Sequence, residues 1–224
     1  MKNLIILTAN VKGGVGKTVL SGVLANYLSQ QGIPVAVVDA DIQQSLYSHR
    51  EREMEANPNA EIPWDVQSLA NFDEIPVEDV MQNLKQIPGC IIIDCPGNIQ
   101  DENLKHIYNA ADIVVVPTRY DSDTVDATKR FLDVFNMVSD AKVFIVPNNI
   151  VLSDERRESV REERMAMHDI LGDYGVITPR IKQSVIYHCY STIKPLDSYQ
   201  RNGVMYAFEP IIEAINAQME DNNE

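Results

Sequence analysis

Short apolar runs recur along the chain, separated by stretches in which apolar residues return every three or four positions. The runs Leu4–Leu7, Val35–Val38, Ile91–Ile93, Ile113–Val116, Val143–Val146 and Val176–Ile177 are rich in Val and Ile, and several show no polar alternation. A strand with one wet face alternates, whereas one buried on both faces does not, so these runs read as strands of a parallel sheet. The stretches between them predict helices. Leu20, Val23, Leu24, Tyr27 and Leu28 share one face, and Gly32 follows as a stop. Val125, Leu132, Phe135 and Val138 mark a second face. Residues 154–171 predict a charged helix striped by Val160, Met167 and Leu171, a short helix is expected near 77–86, and a last one over about 205–218. This alternation predicts an α/β fold: a doubly wound, mostly parallel sheet flanked by helices.

Residues 50–89 break the pattern with Pro58, Pro63, Pro76 and Pro88 and the lone Trp64. They are expected as an irregular insertion on a single domain spanning 1–224, which ends in a frayed acidic tail at about 219–224. At 45% hydrophobic and 23% charged residues the chain suits a globular core. The opening run "LIIL" is too short for a signal-peptide core, and Lys12 blocks its extension. Three cysteines, Cys90, Cys95 and Cys189, leave an odd thiol and match no zinc spacing, so a cytoplasmic protein without structural disulfides is expected. The net charge of −14 opposes sequence-independent DNA binding, which depends on lysine and arginine neutralising phosphates.

The chemistry starts at "ANVKGGVGKTVL", residues 9–20. It follows an apolar strand and opens an amphipathic helix, the setting of a phosphate-binding loop. Gly13, Gly14 and Gly16 allow the backbone to turn its N–H groups toward phosphate oxygens, and the helix N-terminus adds partial positive charge. Lys17 can reach the β- and γ-phosphates, and the Thr18 hydroxyl can ligate Mg²⁺. The usual first glycine of G-x-x-x-x-G-K-[ST] is Val11, and a second lysine, Lys12, follows it. "VVDADIQQS" places Asp39 and Asp41 at the end of a buried run; they either meet ions and water or cap the next turn. "CIIIDCPG" ends four apolar residues in Asp94, able to hold a magnesium-bound water, with Cys95 as a small buried filler. In "VVVPTRYDSDTVDAT", Asp121 and Asp123 fit the start of a helix. "VFIVPNNIV" ends in Asn148, whose amide could read a base or could serve a polar turn.

"KGGVGKT" resembles the deviant Walker A loop of the ParA/MinD family of ATPases, in which the first glycine is often absent and the early lysine is the signature. The resemblance covers the chain in order, from loop through Asp-x-Asp, Walker B strand and base-side asparagine to the C-terminal helix. It implies a P-loop ATPase with ATP and Mg²⁺ as substrate and cofactor. It implies that Lys12, Lys17 and Asp41 act in catalysis, Lys12 by crossing a dimer interface and Asp41 by orienting the attacking water. Nucleotide contacts are implied for Lys12, Gly13, Gly14, Val15, Gly16, Lys17, Thr18, Val19, Asn148 and Pro179, and metal contacts for Thr18, Asp39 and Asp94, the last two through water. Ile42 stands where the family has proline.

Within the family, a MinD-type membrane role would need a basic amphipathic C-terminus. "IIEAINAQMEDNNE" has no lysine or arginine, so membrane binding is not expected. Arg156, Arg157, Arg161 and Arg164 interleave with Glu155, Glu158, Glu162 and Glu163 and read as a solvated, salt-bridged face. The phosphate loop begins near residue 10, so the chain is expected to resemble small partition ATPases without an N-terminal DNA-binding domain. The expected function is an ATP-dependent dimerising switch in plasmid, chromosome or mobile-element partitioning, hydrolysing slowly until a ParB-like or other partner protein stimulates it; nonspecific DNA binding stays open. The alternatives are a metabolic ligase or synthetase on the same scaffold and a nucleotide-binding adaptor with little hydrolysis.

Overall fold

The computed structural model describes residues 3–98, 103–184, 187 and 189–220. Among the described residues, seven strands form one sheet: β1 (Asn3–Thr8), β2 (Val35–Asp39), β3 (Asp65–Ser68), β4 (Gly89–Asp94), β5 (Ile113–Thr118), β6 (Lys142–Pro147) and β7 (Val176–Ile177). Their order is β3-β2-β4-β1-β5-β6-β7, and every pair is parallel. The doubly wound parallel sheet read from the sequence is therefore present. β1 lies at the centre, and its side chains serve the two faces in turn. Leu4 and Ile6 enter the cluster beneath α1 (Lys17–Gln30), α2 (Ser45–Ala56) and the last helix, α7 (Ser198–Glu220). Ile5 and Leu7 enter the cluster beneath α3 (Val77–Leu84), α4 (Asn103–Ala110), α5 (Ser122–Phe135) and α6 (Glu158–Leu171).

The end of α1 shows how local sequence sets a boundary. Gly32 takes φ +77, its N–H bonds the Ser29 carbonyl at 3.0 Å, and the Ile33 N–H bonds the Leu28 carbonyl at 3.2 Å. That pair of bonds is a Schellman stop, and it needs a residue that tolerates left-handed backbone.

Four expectations are corrected. Residues 50–89 are not irregular: they carry the end of α2, the edge strand β3 and α3. β3 was hidden because Val66 and Ser68 point inward while Asp65 and Gln67 are exposed, too short an alternation to stand out. α2 gave no apolar stripe, since its buried residues are Leu46 and Arg50. α6 begins at Glu158, after a separate 3-10 turn at Asp154–Arg156. α7 starts seven residues before position 205 and continues through Glu220, with Met219 packed on the core; the rest of the expected tail, 221–224, lies outside the described residues.

The register brings Thr8, Asp39 and Asp94 side by side at the carboxyl ends of β1, β2 and β4, with Thr118 and Pro147 paired at the ends of β5 and β6. In open parallel sheets this rim is where ligands bind.

Candidate nucleotide site

The loop between β1 and α1 is pinned at both ends by asparagines. Asn10 is buried; its Nδ2 donates to the Pro117 carbonyl at 2.9 Å and to Thr128 Oγ1 at 2.8 Å, while its Oδ1 accepts from the Lys12 N–H at 3.1 Å. At the other end Asn148 Nδ2 donates to the Val15 carbonyl at 2.8 Å. Gly16, at φ +96, lets that amide in: a Cβ there would stand 2.5 Å from Asn148 Nδ2. Gly16 is the N-cap of α1 and supplies no side-chain cap, so the first N–H groups of α1 have no capping side chain. Helix N-termini of this kind receive anions.

Lys17 and Thr18 open α1. The Lys17 ammonium lies toward the loop after β4, where a Cβ on Gly97 would sit 3.5 Å from its Nζ. Asp94 is 1% exposed and accepts from Ser21 Oγ at 3.0 Å through Oδ1. Its Oδ2 meets no hydrogen-bond partner among the described residues. Burial pushes the Asp94 carboxyl up to about 7; the Asp39 carboxylate adds to this, and the Thr18 and Ser21 hydroxyls and the Lys17 ammonium oppose it. An unpartnered oxygen on a buried acid beside a hydroxyl and an ammonium suits a hard cation. Among the described residues no group of three His, Cys, Asp or Glu side chains could cage a metal. Magnesium does not need one, because it keeps waters and takes ligands from substrate phosphates. The residues present, Asp94 and the neighbouring Thr18 hydroxyl, therefore fit Mg²⁺.

Asp39 does more structural work than a metal-shell residue requires. Its Oδ2 accepts from the Leu46 and Tyr47 N–H groups at 2.9 and 3.1 Å, and its Oδ1 from the Asp41 N–H at 3.2 Å. It thus caps α2 from the strand end, in place of Gln44, whose left-handed N-cap position offers no side-chain bond. Burial raises the Asp39 carboxyl pKa, against those backbone donors. Asp41 accepts from the Gln43 N–H at 2.9 Å and lies half-buried at the rim. Ile42 beside it is 89% exposed, so its own side chain does not anchor this turn.

Lys12 is half-buried on the same rim, beside Asp121. Burial opposes ionisation of Asp121, but the Thr124 hydroxyl and N–H, Arg119 and Lys12 hold its carboxyl below the ordinary value. Asp121 caps α5 through Thr124 N–H at 3.1 Å and Thr124 Oγ1 at 2.6 Å, as the helix-start reading expected.

A pocket beside the loop is lined by Val15, Val19, Asn148, Asn149, Lys182 and Tyr187 among others. The structure brings Gly14, Val15, Gly16, Val19 and Asn148 to it. Pro179 is exposed and is not part of this wall; Lys182, bridged through its backbone to Ile150, stands there instead. Sequence reading missed Asn10 and Ser21. Asn10 and Ser21 had a faint signal, a polar residue inside otherwise apolar flanks. Cys95 is buried, and burial pushes its thiol up, as suits an inert filler.

A parallel sheet with a glycine loop, a Lys-Thr helix start and a buried Walker B acid at its carboxyl rim defines a P-loop nucleotide-binding protein. The sequence profile of the CobQ/CobB/MinD/ParA nucleotide binding domain matches residues 6–176. The chain belongs to this family, the ParA/MinD group of deviant Walker A ATPases. It is 25% identical over 211 residues to the protein ParA of Rhizobium radiobacter, a match covering 93% of this chain and 78% of that protein. Among solved structures, an ATP complex of an McdA variant from Cyanothece aligns with a TM-score of 0.75 at 18% identity over 96% of each chain. A plasmid partition protein from Borrelia burgdorferi aligns at 0.70 and 17% identity, covering 95% of this chain and 99% of that one. These structural likenesses show the shared fold.

Proposed function

We propose that the protein is an ATP-dependent dimerising switch ATPase of ParA type, acting in the partitioning of plasmids, chromosomes or other mobile elements. The observation that carries this reading is the pairing of Lys12 and Lys17 on one loop whose ends are fixed by Asn10 and Asn148. Backbone N–H groups of Gly13–Thr18 and the start of α1 receive the triphosphate. Val19 and Asn148 lie on the base side, with Lys182 in the position expected of Pro179. Lys17 balances charge on the bound phosphates from within the protomer. Lys12, on the rim, reaches the nucleotide of a second copy and stabilises negative charge developing in the transition state. Asp41 holds the attacking water; that water adds to the γ-phosphorus, and ADP leaves with the bridging oxygen's electron pair. Mg²⁺, when bound, would supply charge neutralisation on the phosphates. Thr18 and, through water, Asp94 and Asp39 would hold it.

Turnover is slow until a ParB-like or other adaptor completes the site. DNA is a weaker candidate. Two of the basic residues near the C-terminal part are already engaged, Arg180 with Glu155 at 2.8 Å and Lys182 with Tyr199 Oη at 3.0 Å. Among the described residues no helix is long and apolar enough to cross a membrane.

Light scattering with Mg·ATP, paired with phosphate release, tests the reading. The protein should double in mass with ATP and not with ADP, and Lys12→Ala should abolish the doubling. A monomer under all conditions, or a Lys12→Ala variant that dimerises and hydrolyses like the parent, overturns it.

A further inference from the structure

A buried polar cluster away from the nucleotide rim centres on Thr192. Its Oγ1 accepts from Arg50 Nε at 2.9 Å, and its carbonyl accepts from Arg50 Nη2 at 2.8 Å. Its N–H and its hydroxyl both donate to Glu53 Oε2, each at 2.6 Å. Two side chains of α2 therefore satisfy every polar group of one residue in the segment that leads into α7. Arg50 is 6% exposed, and its guanidinium lies 4.4 Å from the centre of the Trp64 ring. Trp64 Nε1 donates to Asn26 Oδ1 at 3.0 Å, and Asn26 Nδ2 donates to the Ser191 carbonyl at 2.7 Å. The circuit closes there, since Ser191 and Thr192 are covalent neighbours. A second pair reinforces it: Gln30 and the Leu196 backbone exchange bonds at 3.1 and 3.2 Å.

Burying an arginine is costly, and a buried charge is seldom a better source of stability than the apolar residues that could replace it. What a fully satisfied polar circuit does supply is fixed geometry. The geometry fixed here is that of two helices. α1, held through Asn26 and Gln30, begins at Lys17 and Thr18. α2, held through Arg50 and Glu53, follows Asp41 and is capped by Asp39. The opposite ends of these helices are two walls of the nucleotide site.

We propose that the segment Ser191–Leu196 is a staple between α1 and α2, and that the grip of Arg50 and Glu53 on Thr192 positions Asp39 and Asp41 against Lys17 and Thr18. This rests on the reading of those four residues as an ATP site. Arg50, Glu53 and Thr192 are positioning residues: they touch no nucleotide and act through α2.

The test compares Thr192→Val, which keeps the shape and removes the hydroxyl, with Thr192→Ser, which restores it. The first readout is amide exchange in the nucleotide-free protein at Leu46 and Tyr47, whose N–H groups bond Asp39. Thr192→Val should speed exchange at these two amides about tenfold, with Ile6 in β1 and Ile92 in β4 unchanged, and Thr192→Ser should match the parent. The second readout is kcat for Mg·ATP, which should fall about tenfold in Thr192→Val while affinity for ATP without magnesium holds. Unchanged exchange at Leu46 and Tyr47, or a rise shared equally by Ile6 and Ile92, overturns the staple. If Thr192→Val does not fold, Arg50→Lys gives the same comparison, because it keeps the charge and loses the two-point grip. A parent protein that never hydrolyses ATP counts against the ATPase reading, while the exchange result still decides the staple.

Discussion

Asp94 is the residue whose replacement should change the protein most informatively. It sits at 1% exposure, with one oxygen bonded to Ser21 and the other without a partner among the described residues. Burial lifts its carboxyl from the ordinary 3.8 to about 7 in the nucleotide-free protein. A group whose folded pKa is raised favours folding while it is protonated. Its contribution is fully present below the unfolded value near 3.8 and is lost as pH rises toward and through about 7. A lift from 3.8 to about 7 corresponds to roughly 4 kcal/mol between the two ends of that window, an upper figure because the site can relax and admit water. Asp94→Asn removes the titration and keeps an acceptor for Ser21. Urea unfolding of both proteins at pH 5 and at pH 8, without nucleotide, measures the effect. The variant should gain about 2–3 kcal/mol on the parent between those pH values, since pH 5 already lies inside the window. Adding Mg·ATP at pH 8 should reverse the order, because the parent gains a magnesium-linked ligand and the variant does not. Parallel pH profiles for the two proteins would refute the placement of a destabilised carboxylate at the head of β4.

The remaining predictions concern the loop and its neighbours. Gly16→Ala combines φ +96 with a 2.5 Å approach to Asn148 Nδ2, so ATP affinity measured by calorimetry should fall at least about tenfold and stability by roughly 1–3 kcal/mol. Asn148→Ala removes the bond to the Val15 carbonyl and should cost about 1 kcal/mol in urea unfolding, with a matching loss of nucleotide affinity. Asp39→Ala strands the Leu46 and Tyr47 N–H groups and should cost roughly 2 kcal/mol, seen as fraying of α2 in amide exchange. Gly32→Ala forces a side chain into φ +77 and should lower stability by about 1 kcal/mol without touching ATP binding.

The sheet was legible because its central strands are apolar on both faces: β1 from Leu4 to Thr8 and β4 throughout are buried. Edge strand β3 was not, since a buried Ser68 and an exposed Asp65 blur a four-residue alternation. α2 was invisible for a different reason. Its inward surface is partly polar, with Arg50 doing what an aliphatic residue does elsewhere. The phosphate loop could be read because its glycines and lysines are spaced by the shape of a phosphate, a local demand. Ser21 and Asn10 answer to partners far along the chain, Asp94 and Thr128, and only the fold brings those partners near. The capping role of Asp39 was weighed from sequence as one of two readings, and three backbone bonds now give it substance.

The central claim is that two lysines, one from each of two copies, meet at one triphosphate. A crystal structure with magnesium and a non-hydrolysable ATP analogue tests it most directly. The account predicts a two-fold dimer in which Lys17 of one protomer and Lys12 of its partner both contact the same nucleotide. A lone protomer with nucleotide bound and Lys12 turned to solvent, matched by a monomer in solution, would contradict it.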